Sequence, residues 1–299
     1  MAGFLDAHVE VFDYLGISMY SGLAIAAILG FLFPILFMGS KKKSSWREAS
    51  RASFAGASAR YNRVTSMDGV STINLSREGV GARKPTTVMA RFQECVERAG
   101  TEAALKYQDA DEAWQQITWV EYMDLVRSAA KSFMHLGLER FGCVSIIGFN
   151  SPEWVIADLA AIAAGGAAAG IYATNGPDAC AYIAEHSSSS VVVVENDKHL
   201  AKFIEVKQQG RCPTVKALVV YKARKADMQT RTVELQAQAG VPVYAWDEFL
   251  ALGEGNGVTD ADLDARIADQ QPGHVCTLIY TSGTTGNPKA VMARSSSSS

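Results

Sequence analysis

Cys143-Val-Ser-Ile-Ile-Gly-Phe-Asn-Ser-Pro-Glu-Trp-Val-Ile-Ala-Asp-Leu-Ala-Ala-Ile-Ala-Ala-Gly-Gly-Ala-Ala-Ala-Gly-Ile-Tyr172 decides the fold. Cys143 to Phe149 is a near-continuous apolar run of strand length. Ser151-Pro152-Glu153 then opens a helix, with serine placed to cap it and proline in the first turn, where no backbone N–H is needed. Gly165-Gly166 stops that helix, and Ala167 to Tyr172 is a second apolar run. A strand that is apolar along its whole length has both faces buried, and a helix between two such strands lets them run parallel.

The same alternation extends in both directions. Upstream, Thr118-Trp-Val-Glu121 has the form of a capping box. The helix behind it spaces Tyr122, Met123, Val126, Ala130, Phe133 and Met134 three and four apart and stops at Gly137. Earlier still, Val88 to Ala99 reads as a short helix. Leu105–Gln108 and Gln116–Trp119 read as a hairpin turning around Ala110–Ala113. Downstream, Pro177 opens a helix to His186, and Val191–Glu195 is a strand followed by a cap at Asn196 or Asp197. Val215–Tyr221 and Val275–Tyr280 are further strands, and Trp246–Leu252 and Thr259–Asp269 are helices. Ser187–Ser190 reads as a loop, and Val275–Tyr280 as the last strand of a sheet left with an open edge. The expected class is therefore α/β, a doubly wound, mostly parallel sheet.

Composition narrows the function. The 299 residues carry a net charge of −3 and a pI near 6.0, so no basic excess points to nucleic acid. The five cysteines are dispersed, with no CxxC pair and no zinc-like spacing to histidine, as in a reduced compartment. From Tyr14 to Ser40 no residue is charged. Leu15–Met38 is long enough to cross a bilayer, whose core needs about 20 apolar residues. Asp6, Glu10 and Asp13 precede the span, and Lys41-Lys42-Lys43 and Arg47 follow it. The positive-inside rule then places the N-terminus outside and the bulk of the chain in the cytosol. The expected organisation is an N-terminal segment (1–14), a single-pass transmembrane anchor (15–40), a flexible Ser/Ala/Gly-rich linker (41–87), a catalytic-type domain (88–292) and a serine-rich tail (293–299).

The chemistry sits after the last strand, in Tyr280-Thr-Ser-Gly-Thr-Thr-Gly-Asn-Pro-Lys289. Gly283 and Gly286 let successive backbone N–H groups turn toward an anion. Thr281, Ser282, Thr284 and Thr285 add hydroxyls, Lys289 adds a point charge, and Pro288 stiffens the exit. A Walker A loop needs lysine directly after its second glycine; here three residues intervene, and no dinucleotide G-x-G-x-x-G is present. Elsewhere structural roles compete with functional ones. Ser151 is explained by capping, Tyr172 and Thr174 by a turn, and Trp154 and Trp246 by core packing.

Tyr280 to Met292 resembles the signature of the acyl-adenylate-forming (AMP-binding) superfamily. Leu136–Phe141, Ile146–Trp154, Gly170–Asn175, Val194–Asp197 and Tyr244–Phe249 resemble the bubblegum branch of its long-chain fatty acyl-CoA synthetases. The resemblance covers roughly Leu105 to Met292. It implies ATP-dependent activation of a fatty acid through acyl-AMP, then transfer to CoA, with Mg²⁺ in attendance. It also implies that Thr281, Ser282, Gly283, Thr284, Thr285, Gly286 and Lys289 bind the β- and γ-phosphates of ATP. Ala290 stands where the family has glycine, and no residue matches the family's adenine-binding motif or catalytic lysine. Two further readings stay open: an inert membrane-tethered fragment with weak nucleotide binding or partner interaction, and a ligase for another carboxylic acid. With the anchor, the resemblance implies an intracellular membrane such as the endoplasmic reticulum, and a long-chain fatty acid as substrate.

Overall fold

The structure is a computed structural model that describes residues 66–71, 85–109, 111–223, 225–255, 257–281 and 287–294. The expected segments 1–14 and 15–40, most of the 41–87 linker, and Ser282, Gly283, Thr284, Thr285 and Gly286 lie outside the described residues. Among the described residues no helix is long and apolar enough to cross a membrane.

The chain enters through α1 (Val88–Ala99), capped by the Thr87 side chain, and an antiparallel hairpin of β1 (Ala103–Gln108) and β2 (Trp114–Thr118). The second hairpin strand stops one residue before Trp119, because the Thr118–Glu121 capping box already starts α2 (Trp119–His135) there. Both bonds of that box are made: Thr118 Oγ1 accepts from Glu121 N, and Glu121 Oε2 accepts from Thr118 N. From here strands and helices alternate as β3 (Cys143–Ile147), α3 (Pro152–Ala163), β4 (Ala167–Ile171), α4 (Pro177–His186), β5 (Ser189–Val194), α5 (Asp197–Gln208), β6 (Ala217–Val220), α6 (Lys225–Ala239) and β7 (Val243–Ala245). Then come α7 (Trp246–Leu252), α8 (Asp260–Ala268), β8 (Val275–Thr281) and β9 (Lys289–Arg294).

Seven strands form one sheet in the order β7-β6-β5-β3-β4-β8-β9, parallel except for the antiparallel β8–β9 pair. Alternate residues feed two cores. Val144, Ile146, Val191 and Val193 pack under α2, α3 and α7, where Phe133 and Phe249 meet at 4.8 Å. Ile147, Val192, Val194 and Leu218 pack under α4, α5 and α6. With helices on both faces, the doubly wound reading holds. Trp246 is buried in the first core and Trp154 packs against it half-buried, as core roles require.

Three expectations change. Ser189 and Ser190 of the supposed loop open β5; Ser189 Oγ lies 2.8 Å from Ser145 Oγ and 2.7 Å from Ser187 Oγ, so the hydroxyls satisfy one another inside the sheet. The sheet does not end at Tyr280: β9 pairs along β8 from Thr281↔Lys289 to Val275↔Arg294 and covers that edge. Strand pairing therefore runs past the expected domain end at 292 into Ala293 and Arg294. Part of the expected linker is docked as well. Ser71 N donates to Gly273 O, Arg294 Nη1 donates to Gly69 O at 2.5 Å, and Met67 packs on the second core. Ala290 is an ordinary strand residue paired with Tyr280, outside the positive-φ positions, so its methyl group meets no backbone objection.

Candidate active site

The functional residues gather where the parallel strands end. In such sheets ligands collect beyond the carboxyl ends of the strands, above all where neighbouring strands send their connections to opposite faces. Here that switch lies between β3 and β5. The chain leaves β3 by α3 toward β4 on one face, and leaves β5 by α5 toward β6 on the other.

A buried carboxylate occupies the switch. Glu195 is 4% exposed, accepts Phe149 N at 3.2 Å on Oε2 and Lys222 Nζ at 2.7 Å on Oε1. Burial works against its charge, but the Lys222 ammonium and the Phe149 amide together hold its pKa below the usual glutamate value. Tyr221 Oη donates to Phe149 O at 3.2 Å, so the turn after β3 is held through both its amide and its carbonyl. His199, 4% exposed on α5, links the loop after β4, with Nε2 3.1 Å from Ala173 O. Among the described residues its Nδ1 has no hydrogen-bond partner, and it sits 3.7 Å from Glu195 Oε2. Burial lowers the His199 pKa, favouring a neutral ring in spite of the nearby carboxylate. Lys202 Nζ adds bonds to Ala173 O at 3.1 Å and Asn175 O at 2.6 Å. Phe149 and Tyr172, each 65% exposed, project at the ends of the two adjoining strands. Sequence reasoning missed Glu195, His199 and Lys222 as a group, because residues 195 and 222 meet only through strand order.

The two described members of the candidate loop, Thr281 and Lys289, fall at the carboxyl end of β8, the strand next to β4. Thr281 ends β8 and Lys289 begins β9 as a directly opposed pair, with Thr281 Oγ1 donating to Lys289 O at 3.5 Å. Both side chains are exposed. As directly opposed residues of an antiparallel pair, Thr281 and Lys289 put their side chains on the same face of the β8–β9 stem. Tyr280, just before it, is 3% exposed, and its phenol is pushed up to about 12 chiefly by burial. Ser151 is the cap of α3, accepting from Trp154 N, and Asn175 N closes a turn onto Tyr172 O, so both have structural roles. Among the described residues no three His, Cys, Asp or Glu side chains converge as a metal site would need.

Comparison with known proteins agrees with this architecture. The profile of the family described as AMP-binding enzyme matches residues 92–297. The chain is 41% identical over 225 residues to long-chain-fatty-acid–CoA ligase ACSBG2 of Xenopus laevis, covering 75% of this chain and 28% of that protein. It is 43% identical over 230 residues to ACSBG2 of Gallus gallus, covering 77% and 28%. To human long-chain-fatty-acid–CoA ligase ACSBG1 it is 40% identical over 208 residues, covering 70% and 26%. The chain thus spans between a quarter and a third of the length of these relatives. Among solved structures, the A-PCP didomain of a carboxylic acid reductase from Segniliparus rugosus with AMP superposes with a TM-score of 0.58 at 19% identity, covering 71% of this chain and 32% of that one. The anthranilate CoA ligase AuaEII with anthranoyl-AMP gives 0.56 at 17% identity, covering 73% and 36%. With the sheet order, the β8–β9 stem and a profile match across most of its length, the chain belongs to the AMP-binding enzyme family.

Proposed function

We propose that this chain supplies the ATP-phosphate-binding part of a long-chain fatty acid–CoA ligase. The supporting observation is the identity of about 40% to long-chain-fatty-acid–CoA ligases over 70–77% of the chain, beside a family match over residues 92–297 that takes in the β8–β9 stem. In this reading Thr281, Ser282, Gly283, Thr284, Thr285, Gly286 and Lys289 cradle the β- and γ-phosphates of ATP. The Lys289 ammonium neutralises charge as pyrophosphate leaves, and positioning and electrostatics supply most of the catalysis in such transfers. The exposed Thr281–Lys289 pair fits a phosphate, since it offers a hydroxyl and a positive charge at the two ends of the loop. A Mg²⁺ ion would arrive with the nucleotide, and CoA would be the acyl acceptor.

The test is ATP–pyrophosphate exchange with a panel of carboxylates, run on the 299-residue chain and on any longer product of the same reading frame. Exchange driven by palmitate and lost on Lys289→Ala is expected of the longer product, and little or none of the 299-residue chain. Exchange driven by amino acids or hydroxycinnamates but not palmitate would sink the fatty-acid assignment. Residues 15–40 are proposed as a membrane anchor on their length and flanking charges. Expressed in cells, the chain should stay in the membrane pellet after alkaline carbonate washing, and release into the supernatant would remove the anchor.

A further inference from the structure

The helix that follows β4 holds both arms of the phosphate stem from one side. Tyr182 and His186 lie one turn apart on α4, so their side chains share a face. Their rings stack, with centroids 5.5 Å apart and planes 29° apart. Tyr182 Oη donates to Pro288 O at 3.0 Å, on the arm that leads into β9. His186 Nδ1 lies 3.0 Å from Tyr280 Oη, on the arm that leaves β8, and the two rings also meet edge to face at 5.7 Å. Tyr280 Oη lies in addition 3.4 Å from Ile183 O, on the same helix. The helix is itself fixed: Arg211 binds Glu185 at 2.8 Å and Asp178 at 3.1 Å from across the α4–α5 side.

We propose that Tyr182 and His186 are positioning residues for nucleotide binding, setting the spacing and tilt of Tyr280–Thr281 against Pro288–Lys289. This rests on the phosphate-binding reading above. Ring packing alone would account for the Tyr182–His186 stack and for the burial of Tyr280. It does not account for the Tyr182 hydroxyl, which reaches the carbonyl of the half-buried Pro288 just ahead of β9. A bond of that kind fixes where the stem stands. The cation at Lys289 and the hydroxyl at Thr281 are useful to a phosphate only if they stay together, because a displacement of about 1 Å in a binding group costs heavily.

Tyr182→Phe keeps the ring and removes only the hydroxyl. The expected result on the 299-residue chain is a thermal midpoint lowered by no more than about 2–4 °C and faster amide hydrogen exchange across the peptide from Thr281 to Lys289. Affinity for MgATP should fall about 3- to 10-fold, the worth of one such hydrogen bond, and adenosine affinity should not move. His186→Ala should act alike, and His186→Asn, whose side-chain oxygen can stand near the Nδ1 position, should restore both readouts. Exchange over Thr281–Lys289 that is the same in wild type and Tyr182→Phe overturns the inference. So does a loss of MgATP affinity matched by an equal loss for adenosine. Wild-type chain that binds no MgATP defeats the phosphate reading alone, and the exchange comparison then still decides whether the helix positions the stem.

Discussion

Gly148→Ala is expected to destabilise the chain by about 3 kcal/mol, the upper range for overpacking a filled site. A Cβ at this position would overlap the Tyr221 hydroxyl, lie 3.0 Å from Tyr221 Cζ and reach within 2.7 Å of Glu195 Cβ. None of these atoms is the free end of a flexible side chain. The Tyr221 hydroxyl is tied to Phe149 O, and Glu195 is tied to Phe149 N and Lys222. Making room therefore breaks bonds worth about 1 kcal/mol each on top of the steric cost. Tyr221→Phe removes the nearest atom, so the double variant should be less destabilised than the sum of the singles by at least about 1 kcal/mol. Urea denaturation of the four proteins measures this. Strict additivity would mean that the turn relaxes by another route and that Gly148 is not there for space.

Asp158→Asn is expected to stabilise the chain at neutral pH. Asp158 lies on α3 facing β8 and accepts a long hydrogen bond, 3.5 Å, from Thr277 Oγ1. Burial pushes its pKa up to about 6, against the weaker downward pull of that bond. The folded state thus favours the protonated acid more than the unfolded chain does. The penalty is absent below the unfolded value near 3.8, grows as pH rises through the window up to about 6, and is complete above it. Roughly 1.4 kcal/mol per pKa unit gives at most about 3 kcal/mol at pH 7.5. Asparagine avoids the charge and keeps the shape. Its advantage in denaturant midpoint should be largest at pH 7–8 and vanish near pH 3.5. An advantage independent of pH would show that ionisation is not the cause.

The same buried network shows which parts of the molecule could be read from sequence. The parallel sheet was legible because Cys143–Ile147, Val191–Val194 and Ala217–Val220 are buried on both faces and carry no polar alternation apart from Ser145. The helix starts at Thr118, Ser151 and Asn196 were legible because each cap is a local bond three residues long. Ser189 was misread because a serine's fitness for a core depends on what its hydroxyl meets, and Ser145 lies 44 positions away. Helix α6 was missed because Met228, Leu235 and Ala239, its core residues among those whose side chains are described, are too sparse to stand out as a stripe. Strand β9 was missed because Lys289–Arg294 reads equally well as an extension of the phosphate loop until Tyr280↔Ala290 pairing is seen. The Tyr280–Lys289 segment stood out by its Gly, Ser and Thr composition. The Glu195–Lys222–His199 group could not, since each member alone looks like an ordinary surface charge or a helix-start residue.

The arrangement of β8 has a consequence for how this sheet is assembled. Strands β3 to β7 are laid down in sequence within about a hundred residues, and each new parallel strand pairs beside one already placed. Strand β8 instead returns to β4 from the far end of the chain, through Ala168↔Thr277 and Ala169↔Leu278. Its neighbour β9 is joined to it by a short reversal. The hairpin is therefore local and quick to form, whereas its attachment closes the longest loop in the sheet, and that entropy is spent before the contact returns anything. The β8–β9 stem belongs to the part of the sheet with the greatest sequence separation. A ligand that binds the attached stem and not the detached one draws that late seam shut by mass action. A nucleotide bound as proposed above would then act as the final strand-docking contact of the fold.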